Sequence, residues 1–287
     1  MKIGLSSYSL YRLINSGEMD IFQAIEWIAE NGGEHVEIVP MSLNLTEDSS
    51  LVEAIRKKAQ EVGIDISNYA VGANFVTDSD EAFNEQVEKL KRHVDVVHGL
   101  GIKLMRHDVA SRPIPETSIA QFEADLDKMV EGCRQVADYA AQFGITTSVE
   151  NHGFFVQASD RVQRLIHAVD RPNFKTTLDV GNFMCADENS VVAVKKNISY
   201  ASMVHLKDFY LRPFYRDPGE GWFKTASGNF LRGAIVGQGD IDMVEVIRVI
   251  KQSGYDGYIS IEFEGMEDPR VGSKIGMDNA RRIWEEV

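Results

Sequence analysis

Residues 143–150 set the pattern for the whole chain: Phe143-Gly144-Ile145-Thr146-Thr147-Ser148-Val149-Glu150. The glycine follows an amphipathic helical segment and accepts the left-handed conformation that ends a helix. A short apolar strand that ends on an acid comes directly after it. The same succession of helix, glycine and strand recurs at residues 32–33, 63, 101 and 254. This alternation of helices and strands predicts parallel strands joined by right-handed crossovers.

Eight strands are predicted, each followed by a helix or by a loop and a helix: Ile3–Ser7, Val36–Val39, Ile64–Val71, Lys103–His107, Thr146–Glu150, Thr176–Asp179, Met203–Lys207 and Tyr258–Glu262. Eight such units in 287 residues fit one α/β domain over residues 1–287, a single (β/α)8 TIM barrel. A doubly wound open sheet is the alternative. The last helix is expected near Asp278–Glu286.

The segment from Phe209 to Gly239 is rich in proline, glycine and aromatic residues and is expected to form a long irregular loop between strand seven and helix seven. In a barrel, a loop that follows a strand lies over the C-terminal mouth. It either acts as a lid or substrate wall, or it is a surface insertion that packs on itself or against a neighbouring subunit. A homo-oligomer is therefore one of the arrangements to consider.

Composition limits the class of partner. With 30 basic and 44 acidic residues the formal charge is −14, which argues against binding to nucleic acid or anionic membranes.

No apolar run reaches the roughly 18–20 residues that span a bilayer, and no leader segment precedes the first strand. Cys133 and Cys185 cannot form a disulfide framework. We expect a cytoplasmic protein.

Four predicted strands in the second half of the chain end on metal-competent side chains, namely Glu150, Asp179, His205 and Glu262. Parallel neighbouring strands would bring these side chains together at one mouth, where the active sites of such barrels lie. Three carboxylates and one neutral imidazole suit a single divalent ion such as Mn²⁺, Mg²⁺, Co²⁺ or Zn²⁺.

Each of these residues also has a simpler interpretation. Glu150 could pair with a buried arginine, Asp179 could cap the next turn, and His205 could be a core histidine. Glu262 and Glu264 compete for the same position because strand alternation turns both to one side. Glu262 is favoured because it lies nearer the strand.

Two further histidines follow predicted strands. His107 and His152 could bind substrate hydroxyls or shuttle protons. Alternatively, each could orient a metal ligand through a hydrogen bond.

Two charged residues also have alternatives. Lys207 either holds a substrate carbonyl, carboxylate or phosphate, or it forms a salt bridge to an acid such as Asp208 or Glu264. Glu37 either binds a substrate hydroxyl or pairs with Arg106.

Motifs of other enzyme classes are absent from the sequence. There is no Gly-x-Gly-x-x-Gly after a strand, no phosphate-loop lysine signature, no Cys-x-x-Cys, no His-Glu-x-x-His and no Gly-x-Ser-x-Gly. We therefore expect no nucleotide cofactor.

Over essentially its whole length the chain resembles the sugar phosphate isomerase/epimerase superfamily of xylose isomerase-like barrels, which includes ketose 3-epimerases, hydroxypyruvate isomerase and inosose dehydratase. Five stretches carry the resemblance: Ser148-Val149-Glu150-Asn151-His152-Gly153, Leu178-Asp179-Val180-Gly181-Asn182, Val204-His205-Leu206-Lys207-Asp208, Gly237-Gln238-Gly239-Asp240-Ile241-Asp242 and Gly254–Glu262.

The resemblance implies one divalent ion held by Glu150, Asp179, His205 and Glu262, with both glutamates moving protons. It implies a sugar isomerase or epimerase that acts on a small polyhydroxy carbonyl compound through an enediolate. The family's ketose 3-epimerases have a histidine where this chain has Asn182, and an amide holds a hydroxyl but shuttles no proton. The alternatives are a lyase or dehydratase of a keto-sugar, inosose or 3-keto-glycoside, and a non-catalytic sugar-binding barrel.

Overall fold

The computed structural model describes residues 1–287. Its eleven strands are β1 (Lys2–Ser6), β2 (His35–Ile38), β3 (Asp65–Val71), β4 (Leu104–His107), β5 (Thr146–Glu150), β6 (Phe174–Asp179), β7 (Ala201–Leu206), β8 (Asp208–Arg212), β9 (Phe223–Lys224), β10 (Phe230–Ala234) and β11 (Tyr258–Ile261). Its α-helices are α1 (Tyr11–Asn15), α2 (Ile21–Glu30), α3 (Ser49–Val62), α4 (Asp80–Leu100), α5 (Ile119–Ala141), α6 (Ser159–Val169), α7 (Ser190–Asn197), α8 (Met243–Gln252) and α9 (Pro269–Glu286).

Eight of the strands close into one barrel in the order β1-β11-β7-β6-β5-β4-β3-β2. Every neighbouring pair is parallel, as in the pairing of Asp179 on β6 with His205 on β7. The (β/α)8 TIM barrel is confirmed, and the closed order excludes the open doubly wound sheet. Parallel closure places the C-terminal ends of all eight strands around one mouth.

The glycines that ended the predicted helices adopt the conformation expected of them. Gly63 and Gly101 follow α3 and α4 with φ angles of 77° and 75°. Only glycine reaches this left-handed region without steric cost, so the sequence marks these helix ends directly. No helix is both long enough and apolar enough to cross a bilayer.

Helix α9 begins at Pro269, well before the predicted start near Asp278. Asp268 caps it through hydrogen bonds from two backbone N–H groups, and a proline in the first turn lacks the N–H that would have no partner there. Gly272 and Gly276 interrupt the apolar pattern that would have predicted the earlier start. A Cβ at Gly272 would lie about 2.4 Å from Phe263, and a Cβ at Gly276 would lie 3.1 Å from Ile261. The helix uses glycine to pack closely on β11, so its buried face carries few apolar side chains.

The segment 209–239 is more regular than predicted. Strands β8, β9 and β10 form a separate three-stranded antiparallel sheet in the order β8-β10-β9. Both prolines and three of the six glycines fall in the connections between these strands, so the sequence did not reveal the pairing. Phe209 and Leu231 pack with Cys185 in a small apolar cluster, whereas Phe214 and Tyr215 are exposed. The strands of the segment thus pair with one another, and its apolar side chains pack on Cys185 after β6.

Asp208, at the start of β8, binds the segment that leads from the small sheet back to the barrel. Its carboxylate accepts hydrogen bonds from the backbone N–H groups of Gly237, Gly239 and Ile241 at 2.9, 3.0 and 3.3 Å. Burial raises the pKa of Asp208 to about 6, although these N–H groups favour the charged form. The Gly-Gln-Gly-Asp motif thus provides the backbone donors that bring the chain back to the barrel.

Replacing Gly239 with Ala is expected to lower the free energy of unfolding by about 1–3 kcal/mol, the usual cost of overpacking. An added Cβ would lie 2.1 Å from an oxygen of Asp208 and 2.7 Å from the carbonyl oxygen of Phe209. Urea denaturation measures the change. Gly72→Ala is the matched control, because the nearest atom to its Cβ would lie at 3.7 Å. Equal stability of the two variants would contradict the tight contact.

Candidate metal centre and active site

The four strand-end residues converge at the mouth of the barrel. Glu150, Asp179, His205 and Glu262 each offer one ligand atom, and these atoms all lie within 4.8 Å of one another. Asp179 and His205 face each other across β6 and β7. His205 also pairs with Ser260 on β11, which places Glu262 two residues further along toward the mouth.

The geometry of the four residues fits a cation. His205 Nδ1 lies 2.9 Å from Glu262 Oε2 and 3.9 Å from both Glu150 Oε1 and Asp179 Oδ2. Asp179 Oδ2, His205 Nδ1 and Glu262 Oε2 are buried and form no hydrogen bond of normal geometry. Buried polar atoms usually have partners, so three that converge without them leave a place for a shared divalent ion.

His205 is oriented by Glu37 on β2. Its Nε2 lies 2.9 Å from Glu37 Oε2, and Asn68 donates a hydrogen bond of 2.8 Å to the same oxygen. Burial lowers the pKa of His205, but Glu37 and Glu262 outweigh burial and raise it well above its usual value. A cation at this centre would therefore have to displace the Nδ1 proton, while Glu37 retains the proton on Nε2.

Asp179 caps the turn that follows β6, and its second oxygen is turned toward the cluster. Its Oδ1 accepts hydrogen bonds of 2.8 Å from the backbone N–H groups of Gly181 and Asn182, so it caps the turn. Its Oδ2 faces the cluster. Burial raises the pKa of Asp179 to about 7, and the neighbouring Glu262 adds to this effect although Lys207 opposes it.

Both oxygens of Glu150 have partners. Arg106 Nε lies 2.6 Å from Oε2, and Asn182 Nδ2 donates a hydrogen bond of 3.0 Å to Oε1. Arg106 also pairs with Asp108 at 2.9 Å. The suggested pairing of Arg106 with Glu37 is wrong, because Glu37 is occupied by His205 and Asn68.

Lys207 is the ammonium group that neutralises this acidic cluster. Its Nζ lies 3.2 Å from Asp179 Oδ2, 3.4 Å from Glu262 Oε2 and 3.5 Å from Glu264 Oε2. Burial lowers the pKa of Lys207, yet Asp179 and Glu262 outweigh burial and raise it well above its usual value. The salt bridge to Glu264 is present, whereas Asp208 faces backbone N–H groups instead. Glu262 rather than Glu264 belongs to the four-residue cluster.

A cavity of about 140 Å³ opens above the cluster. Three of the four cluster residues line it, together with Glu37, Arg106, His152, Lys207, Glu264 and Tyr8. The volume lies below the roughly 300–1,000 Å³ typical of ligand pockets, so the cavity suits a small polar compound. No residue of segment 209–239 lines it, and the suggestion that this segment forms a wall of the cavity is not supported.

The two histidines differ in position. His152 lines the cavity with its side chain half exposed, and its Nδ1 lies 3.2 Å from Asp108 Oδ1. His107 does not line the cavity. It is buried between Phe75 and Phe174, and its Nδ1 lies 2.8 Å from the carbonyl oxygen of Asp108. Burial lowers its pKa to about 4, so it is a neutral core residue.

One cavity residue, Tyr8, was missed in the sequence. Tyr8 lies two residues past β1, and the only signal for it was its place after a strand end. Burial and the neighbouring Glu264 raise its pKa to about 12, so its hydroxyl stays protonated. Asn182 does not line the cavity. It bridges Glu150 and Lys207, since its Oδ1 accepts a hydrogen bond of 3.2 Å from Lys207 Nζ.

The geometry agrees with the comparison of this sequence with known families. The sequence model of the xylose isomerase-like TIM barrel family matches residues 25–283. The chain belongs to this family. The resemblance inferred from the strand-end motifs is thereby confirmed.

Relatives of this xylose isomerase-like barrel include dehydratases and epimerases. An inosose dehydratase of Glaesserella parasuis serovar 5 is 26% identical over 239 residues, which cover 77% of this chain and 76% of that protein. The structure of a D-psicose 3-epimerase of Clostridium cellulolyticum H10 with D-tagatose has a TM-score of 0.76 at 18% identity and 99% coverage of each chain. A probable 3-DHS dehydratase of Bacillus anthracis has a TM-score of 0.75 at 17% identity, covering 97% of this chain and 98% of that one. At these identities the two structures establish the shared fold.

Proposed function

We propose that the protein is a divalent-metal-dependent enzyme that removes the proton next to the carbonyl group of a small polyhydroxy carbonyl compound. The observation that carries this proposal is the convergence, beneath a small polar cavity, of four ligand atoms within 4.8 Å of one another, three of them buried and without a hydrogen bond of normal geometry.

Glu150, Asp179, His205 and Glu262 would hold the ion. When bound, the ion would polarise the carbonyl oxygen of the substrate and stabilise the negative charge that develops when the neighbouring carbon loses its proton. The mixed set of three carboxylates and one imidazole suits Mn²⁺, Mg²⁺, Co²⁺ or Zn²⁺, and we favour manganese.

Glu262 is the proposed base. Burial disfavours its charge, but Lys207 and His205 outweigh burial and hold the pKa of Glu262 well below its usual value. The side chain is therefore a carboxylate, which is the form that accepts a proton. Lys207 and the hydroxyl of Tyr8 are placed to hold substrate oxygens across the same cavity.

Isomerisation or epimerisation is the first candidate reaction. Glu150 and Glu262 both line the cavity, from β5 and from the residue after β11. Two carboxylates on opposite sides of a planar intermediate can remove a proton from one face and return one to the other. A single carboxylate that relays the proton to the adjacent carbon gives aldose–ketose isomerisation instead.

Elimination of water is the second candidate, and a specific contact favours it. Arg106 and Asn182 hold both oxygens of Glu150, which weakens it as a second base. Burial lowers the pKa of His152, but Asp108 outweighs burial and raises it, so His152 can carry a proton for a departing hydroxyl group. The similarity to inosose dehydratases agrees with this reaction and with a cyclic polyhydroxy ketone as substrate.

Incubation with ketohexoses and inososes in D₂O, with Mn²⁺ present, tests the proposal. Both reactions are expected to exchange the hydrogen next to the carbonyl, and only elimination yields a product lighter by one water. Mass spectrometry and proton NMR follow the two changes. Protein treated with a chelator is the control. Absence of exchange in every compound would favour a non-catalytic sugar-binding barrel.

A further inference from the structure

A second cavity, of about 180 Å³, lies beside the central one. Tyr8 and Glu264 line both cavities and therefore form their common wall. The second cavity, which we call the Tyr8–Tyr11 cleft, is completed by Ser9, Tyr11, Arg12, Phe263 and Gly265. None of these seven residues belongs to the four-residue metal cluster, so the proposed chemistry leaves the cleft unexplained.

Hydrogen bonds join the two walls of the cleft, which are the segment after β1 and the end of β11 with the residues that follow it. Ser9 Oγ donates to the carbonyl oxygen of Ile261 at 3.1 Å and accepts from the backbone N–H of Phe263 at 2.9 Å. Arg12 donates to the carbonyl oxygen of Met266 at 3.3 Å. The two walls are thus fixed before any ligand binds, which lowers the entropic cost of binding.

The cleft offers a pair of aromatic rings with charged groups beside it. The rings of Tyr8 and Tyr11 are stacked on each other, with centroids 5.8 Å apart and an angle of 21° between their planes. Tyr11 is 41% exposed, so this pair is open to solvent. Arg12 and Glu264 can form hydrogen bonds to hydroxyl groups beside it. Flat aromatic faces with polar neighbours suit a ring that has an apolar face and polar edges.

We propose that the Tyr8–Tyr11 cleft binds a second ring of the substrate, joined to the ring that reacts in the central cavity. This inference rests on the proposed function, because it assumes that the central cavity holds the reacting part. The central cavity has room for only a small compound, and its wall at Tyr8 and Glu264 continues directly into the cleft. The substrate class is therefore a two-ring glycoside whose distal ring is a sugar or an aromatic group.

Ligand-observed NMR titration of the Mg²⁺-treated protein tests the inference with three probes that have no free carbonyl group. The probes are methyl β-D-glucopyranoside, phenyl β-D-glucopyranoside and methyl β-cellobioside. The phenyl glycoside or the cellobioside is expected to bind at least about tenfold more tightly than the methyl glucoside. A preference for the cellobioside identifies a sugar as the distal ring, and a preference for the phenyl glycoside alone identifies an aromatic group.

The variant Tyr11→Ala is expected to remove most of this preference while the affinity for the methyl glucoside changes less than about twofold. Tyr215→Ala is the control, because Tyr215 is 78% exposed and lies outside the cleft. Equal affinities for all three probes, a preference that Tyr11→Ala leaves intact, or no binding of any probe would overturn the inference. Failure of the proposed function would show separately, as absence of hydrogen exchange in D₂O.

Discussion

Replacing Glu262 with Gln is expected to lower kcat by about 10²–10⁴-fold, the range that general acid–base catalysis contributes. The amide has nearly the same size as the carboxylate but cannot accept a proton. Glu262 is 2.9 Å from His205 and 3.4 Å from Lys207, so the substitution also weakens the proposed ion site. The rate of hydrogen exchange next to the carbonyl measures the change once a substrate has been found.

A loss of similar size is expected for Glu150→Gln, because Glu150 is a proposed ligand of the ion as well as the other carboxylate of the cavity. Glu34→Gln is the control. Glu34 accepts a hydrogen bond from the backbone N–H of Ile3 at the opposite end of the barrel, and the amide oxygen can replace that acceptor. Near-normal rates in both Glu262→Gln and Glu150→Gln would refute the assignment of acid and base.

Replacing Lys207 with Met is expected to lower the free energy of unfolding by about 3–5 kcal/mol in the presence of a chelator. The ammonium group lies within 3.2–3.5 Å of three carboxylates, and its removal leaves buried negative charge without compensation. A divalent ion would neutralise the same charge, so the loss is expected to be smaller with Mn²⁺. Urea denaturation under both conditions measures the difference.

Lys91→Met is the matched control for this stability change. Lys91 forms an ion pair with Glu88 on the surface of α4, and such exposed pairs contribute less than about 1 kcal/mol. If Lys207→Met were no more destabilising than Lys91→Met in chelator, the acids around Lys207 would not carry the charge that we assign to them. Equal losses with and without Mn²⁺ would show that no cation shares their charge.

The barrel and the four-residue cluster could be predicted because both follow from local patterns. Glycine after each helix marks the start of the next strand, and the parallel topology then brings the strand ends together whatever the details of packing. Glu262, the acid nearer the strand, lies in the cluster as expected, and its role as a ligand stays a prediction. The substrate, the cytoplasmic location and the oligomeric state stay predictions.

The position of His107 could have been foreseen. Side chains alternate along a strand, so neighbours on β4 point to opposite faces. Arg106 lines the cavity and pairs with Ser148, whereas His107 pairs with Val149 and packs on Phe75 and Phe174 away from the cavity. Two adjacent residues cannot both reach the mouth from within one regular strand. The choice of His107 as a candidate substrate-binding residue overlooked this alternation.

Pairings between distant side chains could not be predicted in the same way. Several acids near the mouth could have paired with Arg106. It pairs with Glu150 and not with Glu37 because His205 and Asn68 already contact the Glu37 carboxylate. The antiparallel sheet in segment 209–239 was also hidden, because its strands are short and separated by turns rich in glycine and proline. In both cases the outcome depends on contacts far apart in the chain.

Elemental analysis of the purified protein, dialysed after exposure to Mn²⁺, measures directly whether the four-residue cluster binds a divalent ion. We expect about one divalent ion per chain in the natural protein and in the surface variant His167→Gln, and far less than one in Asp179→Asn and His205→Gln. Thermal melts before and after chelation provide a second measurement on the same samples. An ion content that is negligible in the natural protein, or unchanged in these two variants, would show that the four side chains do not form a metal centre.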